Sequence, residues 1–141
     1  MTPRFHSLRV AEVRRETPDC VSVSFELPLE LAGEYRFVQG QHIGLRAQLD
    51  GEELRRSYSI CAGADDGELR VAIKQVAGGR FSSWINQQLE AGQFVDVMTP
   101  EGRFFTPLAE HQAKHYVAFA AGSGITPVLS LIRTTLAREP R

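Results

Sequence analysis

A chain of 141 residues has room for one complete domain with its own core and for only part of a second. Its 43% hydrophobic and 23% charged residues are those of an ordinary globular protein, and no apolar run approaches the roughly 20 residues that cross a bilayer as a helix. Sixteen basic against seventeen acidic residues leave a net charge of -1, so no overall field draws the chain to nucleic acid or an anionic membrane, and any anion it binds has to be met locally.

The first twenty residues mix Arg4, His6, Arg9, Glu12, Arg14 and Arg15 with single apolar positions, which is not the pattern of a secretory leader, and the expected location is the cytoplasm. Cys20 and Cys61 lie far apart, with no CxxC and no paired histidines, so neither a metal site nor a disulfide framework is expected. An iron–sulfur cluster of the plant type needs four cysteines at close spacing, and two do not suffice.

Strand signals come first along the chain. Leu8 and Val10 begin an alternation that becomes sharp over residues 20–27, where Val21, Val23, Phe25 and Leu27 share one face and Ser22, Ser24 and Glu26 the other, the period of a half-buried strand. The same period recurs at Ile43, Leu45, Ala47 and Leu49, at Leu69, Val71 and Ile73, and at Val95 and Val97. With residues 54–61 this predicts about six short strands, separated by turn signals such as Asp50-Gly51 and Pro100-Glu101-Gly102, and hence a mainly β fold built on a small antiparallel barrel.

One helix interrupts the series. Phe81, Trp84, Ile85 and Leu89 recur at helical spacing, with Ser82 or Ser83 expected to cap its start and Gly92 to end it. Beyond the last barrel strand the pattern changes: residues 115–121 form an almost continuous apolar run, predicted to be a strand covered on both faces as in a parallel sheet, and a helix is predicted from about Thr126 to Arg138. The domain boundary is expected near residues 108–114.

Three constellations carry chemistry. In Arg56-Ser57-Tyr58-Ser59, arginine offers a rigid fork of donors suited to a diphosphate, and a tyrosine two residues on points to the same side of a strand, where its ring can face a flat heterocycle. Taken alone, these four residues read equally well as a strand with an exposed arginine and a core tyrosine. In Gly78-Gly79-Arg80-Phe81-Ser82-Ser83, glycines at the mouth of the helix let a phosphate approach the backbone and the free N–H groups of the first turn. A serine-capped glycine turn is the plainer reading of that stretch. The third, Ala121-Gly122-Ser123-Gly124-Ile125-Thr126-Pro127, lies between the predicted strand and helix; a lone GxG is weak evidence, since such turns join strands to helices in many α/β proteins.

In combination, order and spacing, these residues resemble the ferredoxin-NADP⁺-reductase-type flavoproteins. Arg56-Ser57-Tyr58-Ser59 is similar to the RxYS signature of that family, Gly79-Arg80-Phe81-Ser82 to its second pyrophosphate motif, and Gly122 to Pro127 to its GxGxTP loop. Phe37-Val38-Gln39-Gly40-Gln41 resembles its strand-opening motif and Pro100-Glu101-Gly102-Arg103-Phe104 its GPxGxF turn. At finer grain, residues 56–61 and 118–130 resemble the reductase components of bacterial phenylacetyl-CoA epoxidases, close to the reductases of aromatic-ring oxygenases.

The resemblance implies an FAD-binding barrel over residues 1–110 and, over 111–141, only the first strand, loop and helix of an NAD(P)-binding domain. It implies electron transfer from NADPH or NADH through FAD to an iron–sulfur protein or domain, in the service of an oxygenase of phenylacetate catabolism; the two cysteines argue for no iron–sulfur cluster in this chain itself. It puts Arg56 and Ser82 on the pyrophosphate with Ser57, Gly79, Arg80 and Phe81 around them. Tyr58 then stacks on the isoalloxazine and Ser59 bonds near N5, the pair at the reacting ring. Gly122, Gly124 and Thr126 fall to the nicotinamide nucleotide. Lys74 reads either as a further diphosphate contact or as a solvated lysine. His6, His42, His111 and His115 are scattered and are expected to be packed or solvated, and Cys61 to be a buried, inert thiol. Two other readings stay open: an FAD-binding module without turnover, and a barrel of the oligonucleotide-binding type that holds no flavin.

Overall fold

The computed structural model describes residues 3–139, and the expected strands appear in it in the expected order. Strands β1 (Phe5–Thr17), β2 (Cys20–Phe25), β3 (His42–Leu49), β4 (Glu52–Ser59), β5 (Leu69–Lys74) and β6 (Phe94–Met98) form one antiparallel sheet, in the order β4-β3-β6-β1-β2-β5. The alternation explains the core: Leu8, Val23, Ile43, Leu45, Val71, Ile73 and Val97 are all 0% exposed. Tyr35, between β2 and β3, is also buried, and its hydroxyl donates to the Val97 carbonyl at 2.6 Å.

The sheet curls until its edges meet at one place. Beyond β4, Ile60 bridges to Val71 of β5, and the Cys61 N–H donates to the Arg70 carbonyl at 3.0 Å. No ladder continues from there, so the barrel is rolled but not closed by hydrogen bonds.

Two strands depart from expectation. β1 runs on to Thr17 through a charged stretch that carries no apolar alternation, held by its pairing to β2 with register shifts between Val10 and Glu12 and between Arg15 and Thr17. On β2, Ser22 and Ser24 are buried rather than facing water. The cause is Arg70, which stands opposite Ser24, donates to the Ser22 hydroxyl at 2.8 Å and is paired with Glu12 and Glu68. Its guanidinium lies over the strand as a lid, stable there because its donors are met.

Helix α1 (Arg80–Gln88) buries Phe81, Ser82, Ile85 and Asn86. Gly79, not a serine, is its N-cap, and the Ser82 hydroxyl instead accepts the Val76 N–H at 3.0 Å, tying the helix to the end of β5. The helix ends at Leu89, ahead of Gly92, which serves the turn into β6 at φ +94°. After β6 the chain is stitched to the start of β3. His42 and Glu101 exchange backbone hydrogen bonds at 2.9 and 3.0 Å, and the Gln39 and Gln41 side-chain amides donate to the Thr106 and Gly102 carbonyls, both at 3.2 Å. A Cβ on Gly40 would stand 1.8 Å from the Phe104 carbonyl oxygen, so only glycine allows this approach.

The apolar run at residues 115–121 is not a strand. It carries no ladder, and Val117 and Phe119 are 80% and 93% exposed. A strand of a parallel sheet exists only through its neighbours, and none of the described strands pairs with this segment. A 3-10 turn (Gly122–Gly124) then leads into α2 (Ile125–Arg138), close to the predicted limits. No helix among the described residues is long and apolar enough to cross a membrane.

Candidate functional site

Strand β4 sets Arg56 and Tyr58 on one side, two residues apart, as its pleat requires. β5 ends at Lys74, and the chain turns through Gly78, at φ +74°, and Gly79 into α1. These three stretches surround one cavity of about 290 Å³, lined by Arg56, Ser57 and Tyr58 from β4, Lys74 and Val76 from β5 and its extension, and Gly79, Phe81 and Ser82 from α1.

Its walls differ in character. The Tyr58 and Phe81 rings lie nearly parallel, 25° apart with centroids 6.3 Å apart, and Trp84 meets Phe81 edge-on at 5.7 Å. Burial pushes the Tyr58 hydroxyl up to about 12, against the pull of the Arg56 charge, so the ring stays neutral at any physiological pH. At the other wall, Arg56 donates only to the neighbouring Arg55 carbonyl, at 2.6 Å. Neighbouring arginines are neutralised, Arg55 by Glu53 at 3.7 Å and Arg80 by Glu52 at 2.5 Å; among the described residues Arg56 and Lys74 have no such carboxylate.

This arrangement fits a flavin dinucleotide. A Cβ on Gly79 would come within 2.8 Å of the Ser82 hydroxyl and 3.1 Å of the Val76 carbonyl, so the cradle exists because the side chain is missing. Beside it the first turn of α1 leaves backbone N–H groups without intrahelical partners and adds a partial positive charge, favouring an anion by ~0.3 to 1 kcal/mol. Two free cations, a glycine cradle and an aromatic wall are what a diphosphate joined to a planar heterocycle requires.

Not every residue singled out in the sequence lies here. Ser59 stands half-buried at the end of β4, opposite His42, and does not line the cavity. The Arg80 side chain turns away, to Glu52 and to the Leu49 carbonyl at 3.1 Å. Gly122, Gly124 and Thr126 do not line it either; the Thr126 hydroxyl donates to the Ser123 carbonyl at 3.0 Å. Thr126 and Ile125 border a second cavity, of about 310 Å³, opposite Cys61, Ala62 and Ala72. The two spaces adjoin along one face of β5, with Lys74 on the first and Ala72, two residues back on the same side, on the second. Val76 lines the first cavity without any signal in the sequence. Burial pushes the Cys61 thiol up, away from the reactive thiolate, and its Sγ lies 3.5 Å from the Arg70 carbonyl.

Comparison with known proteins agrees with this geometry. The pattern of the family described as "Oxidoreductase FAD-binding domain" matches residues 7–106. The chain is 51% identical over 137 residues to one component of the 1,2-phenylacetyl-CoA epoxidase of Escherichia coli (strain K12), covering 96% of this chain and 38% of that protein. Among solved structures it resembles a cytochrome P450 reductase of Amycolatopsis, with TM-score 0.76 and 30% identity over 99% of this chain and 42% of the other. It also resembles phthalate dioxygenase reductase, described as a modular structure for electron transfer from pyridine nucleotides to a 2Fe–2S centre, with TM-score 0.75 and 28% identity over 96% of this chain and 41% of the other. The chain thus spans well under half the length of each of these proteins.

Proposed function

The chain belongs to the oxidoreductase FAD-binding domain family, and from that premise we propose that residues 1–110 hold FAD and residues 111–141 contribute a nicotinamide-nucleotide-facing loop. The protein then serves, in the cytoplasm, in passing electrons from NADPH or NADH to an iron–sulfur acceptor that supplies an oxygenase, with phenylacetate breakdown as the setting. The similarity to the epoxidase component supports that setting.

The observation that carries the reading is the meeting of Arg56 and Lys74, both without a carboxylate partner among the described residues, with Gly79, Ser82 and Tyr58 around one cavity. Arg56 and Lys74 balance the diphosphate charge, Ser82 and the first amides of α1 bond it, and Tyr58 shields one face of the ring from water. Ser59, at the end of the same strand, is the hydroxyl for the ring edge. When bound, FAD supplies acceptance of two electrons from a nicotinamide nucleotide and their onward delivery singly. Gly122, Gly124 and Thr126 are assigned to the nucleotide.

A second reading, an FAD-binding module without turnover, is favoured by one observation: Gly122 to Thr126 stand apart from the first cavity and are preceded by a segment with no ladder. Release of flavin by heat followed by chromatography tests the first claim. FAD is the expected product, since a site with both a cradle and two cations exceeds what a monophosphate needs; recovery of FMN alone, or of no flavin, would overturn it.

A further inference from the structure

Helix α2 is turned the unusual way. Its apolar stripe, Ile125, Leu129, Ile132 and Leu136, faces water, 39% to 70% exposed, while the buried face carries one apolar residue, Val128, beside Ser130 and Thr134, each 0% exposed. Thr134 meets the turn at residues 63–66, which leaves the β4 strand directly through Ile60, Cys61 and Ala62, while the Ser130 hydroxyl is buried with no hydrogen-bond partner among the described residues. The Thr134 hydroxyl accepts the Ala64 N–H at 2.9 Å and donates to the Ser130 carbonyl at 2.8 Å. Arg133 bonds Asp66 at 2.7 Å through the same carboxylate oxygen that accepts the Gly63 N–H at 2.7 Å. Arg138 grips both oxygens of Asp65, at 2.7 and 2.8 Å. The approach is close enough that a Cβ on Gly63 would lie 3.0 Å from the Arg133 Cβ.

We propose that the turn at residues 63–66 is a dock for α2, with Asp65 and Asp66 as positioning residues that fix where the Gly122 to Thr126 loop stands relative to the flavin strand. The inference rests on the flavin reading above for its purpose, though not for its geometry. Three features carry it. The polar contacts are directional, so beside the small apolar burial of Val128 they set an orientation as well as covering area. They fall on the turn that continues the strand bearing Arg56 and Tyr58, so a shift of α2 is felt there and not at a distant surface. Next to Arg138, at the same C-terminal end of the helix, Glu139 accepts the Ala109 N–H at 2.9 Å and the Tyr116 hydroxyl at 2.6 Å, which ties residues 109 and 116 to α2. The ion pairs are partly exposed, with side chains 24% to 53% accessible, so the dock weakens in salt.

The test is the double variant Asp65→Asn with Asp66→Asn, which keeps the amide-accepting oxygens and removes the charges. Hydrogen exchange of the amides of α2 should quicken about three- to tenfold at low salt, with β5 unchanged. The charge swap Asp65→Arg with Arg138→Asp should restore the slower exchange. Titration of the FAD-loaded protein with NADP⁺, and separately with NAD⁺, should perturb the flavin absorbance in the unaltered protein, and the double variant should need more nucleotide for the same change while its Kd for FAD stays the same. Unaltered exchange in the double variant would overturn the dock. Faster exchange with an unaltered nucleotide titration, or no nucleotide-dependent change of the flavin in the unaltered protein, would overturn its positioning role. Failure of the unaltered protein to bind FAD would overturn the proposed function instead, leaving the exchange measurements to decide the dock.

Discussion

The barrel and the segment after it solve opposite problems with the same kinds of residue. On β5, Val71 and Ile73 turn inward to 0% exposure; on α2, Leu136 and Ile132 turn outward to 70% and 44%, and Ser130 and Thr134 are buried beside a single apolar residue, Val128. Hydrophobic burial is strong and nondirectional, which suits a core that must cohere; polar contacts are weaker and directional, which suits a part that must point somewhere. One chain therefore carries a region held by area and a region held by aim.

The contrast can be broken at several points. The largest expected effect concerns rates. Residues 115–121 lack a ladder and give the Gly122 to Thr126 loop no sheet to stand on, whereas hydride transfer needs donor and acceptor atoms held within about 3 to 3.5 Å on a rigid support. Stopped-flow mixing of the FAD-loaded chain with NADPH should give bleaching slower than the ~1 to 10³ per second of working enzymes, and bleaching within that range would show that the polar dock alone suffices.

Next comes stability. Ile73→Ala in the barrel should cost ~2 to 5 kcal/mol in a denaturant titration, while Ile132→Ala on α2 should stay within ~0.5 kcal/mol. Equal losses would mean that the outward stripe of α2 is covered in solution. Arg56→Ala should then weaken FAD binding by ~1.5 to 3 kcal/mol, roughly 10- to 150-fold in Kd by flavin titration, because it removes a charge-assisted bond to phosphate; an unchanged Kd would misplace the diphosphate.

The smallest effect is on acidity. The Arg138 hydrogen bond holds the Asp65 carboxyl below its usual range, and Tyr116 does the same for Glu139. A depressed folded-state value adds stability above the unfolded one and loses it as the pH falls through the folded one. The amide resonances of α2 should therefore hold steady from neutrality to about pH 5 and shift as docking weakens below about pH 4, with Arg133, Arg138, Asp65 and Asp66 the charges facing one another. In the barrel the same argument predicts a shift beside Glu16, whose carboxyl is held low by Arg14 and Ser22.

Much of this was legible in the residues and some was not, for physical reasons. Strict alternation located β2, β3, β5 and β6 because one face of each meets the core, but the outer half of β1 escaped, since a charged hairpin arm has no apolar face to alternate. Periodicity found α2 and could not say which side meets the barrel: the period reports that two faces differ, and the neighbour decides which is covered. The cavity residues Arg56, Tyr58, Gly79 and Ser82 were readable because strand parity and a glycine turn fix them locally. Val76, whose place depends on how β5 runs into α1, was not. Nor could the sequence say where the Arg80 side chain goes: a long side chain beside a glycine turn can reach either way, and here it pairs with Glu52.

The close approach at Gly40 has a consequence for how such a barrel is used. With the Phe104 carbonyl resting where a side chain would stand, and the amides of Gln39 and Gln41 gripping Thr106 and Gly102, the polypeptide departs from a fixed point along a fixed bearing. Whatever follows residue 106 inherits its starting direction from the barrel rather than from its own sequence, which makes the barrel a mount: attachments can be exchanged behind it without re-aiming each one from the beginning.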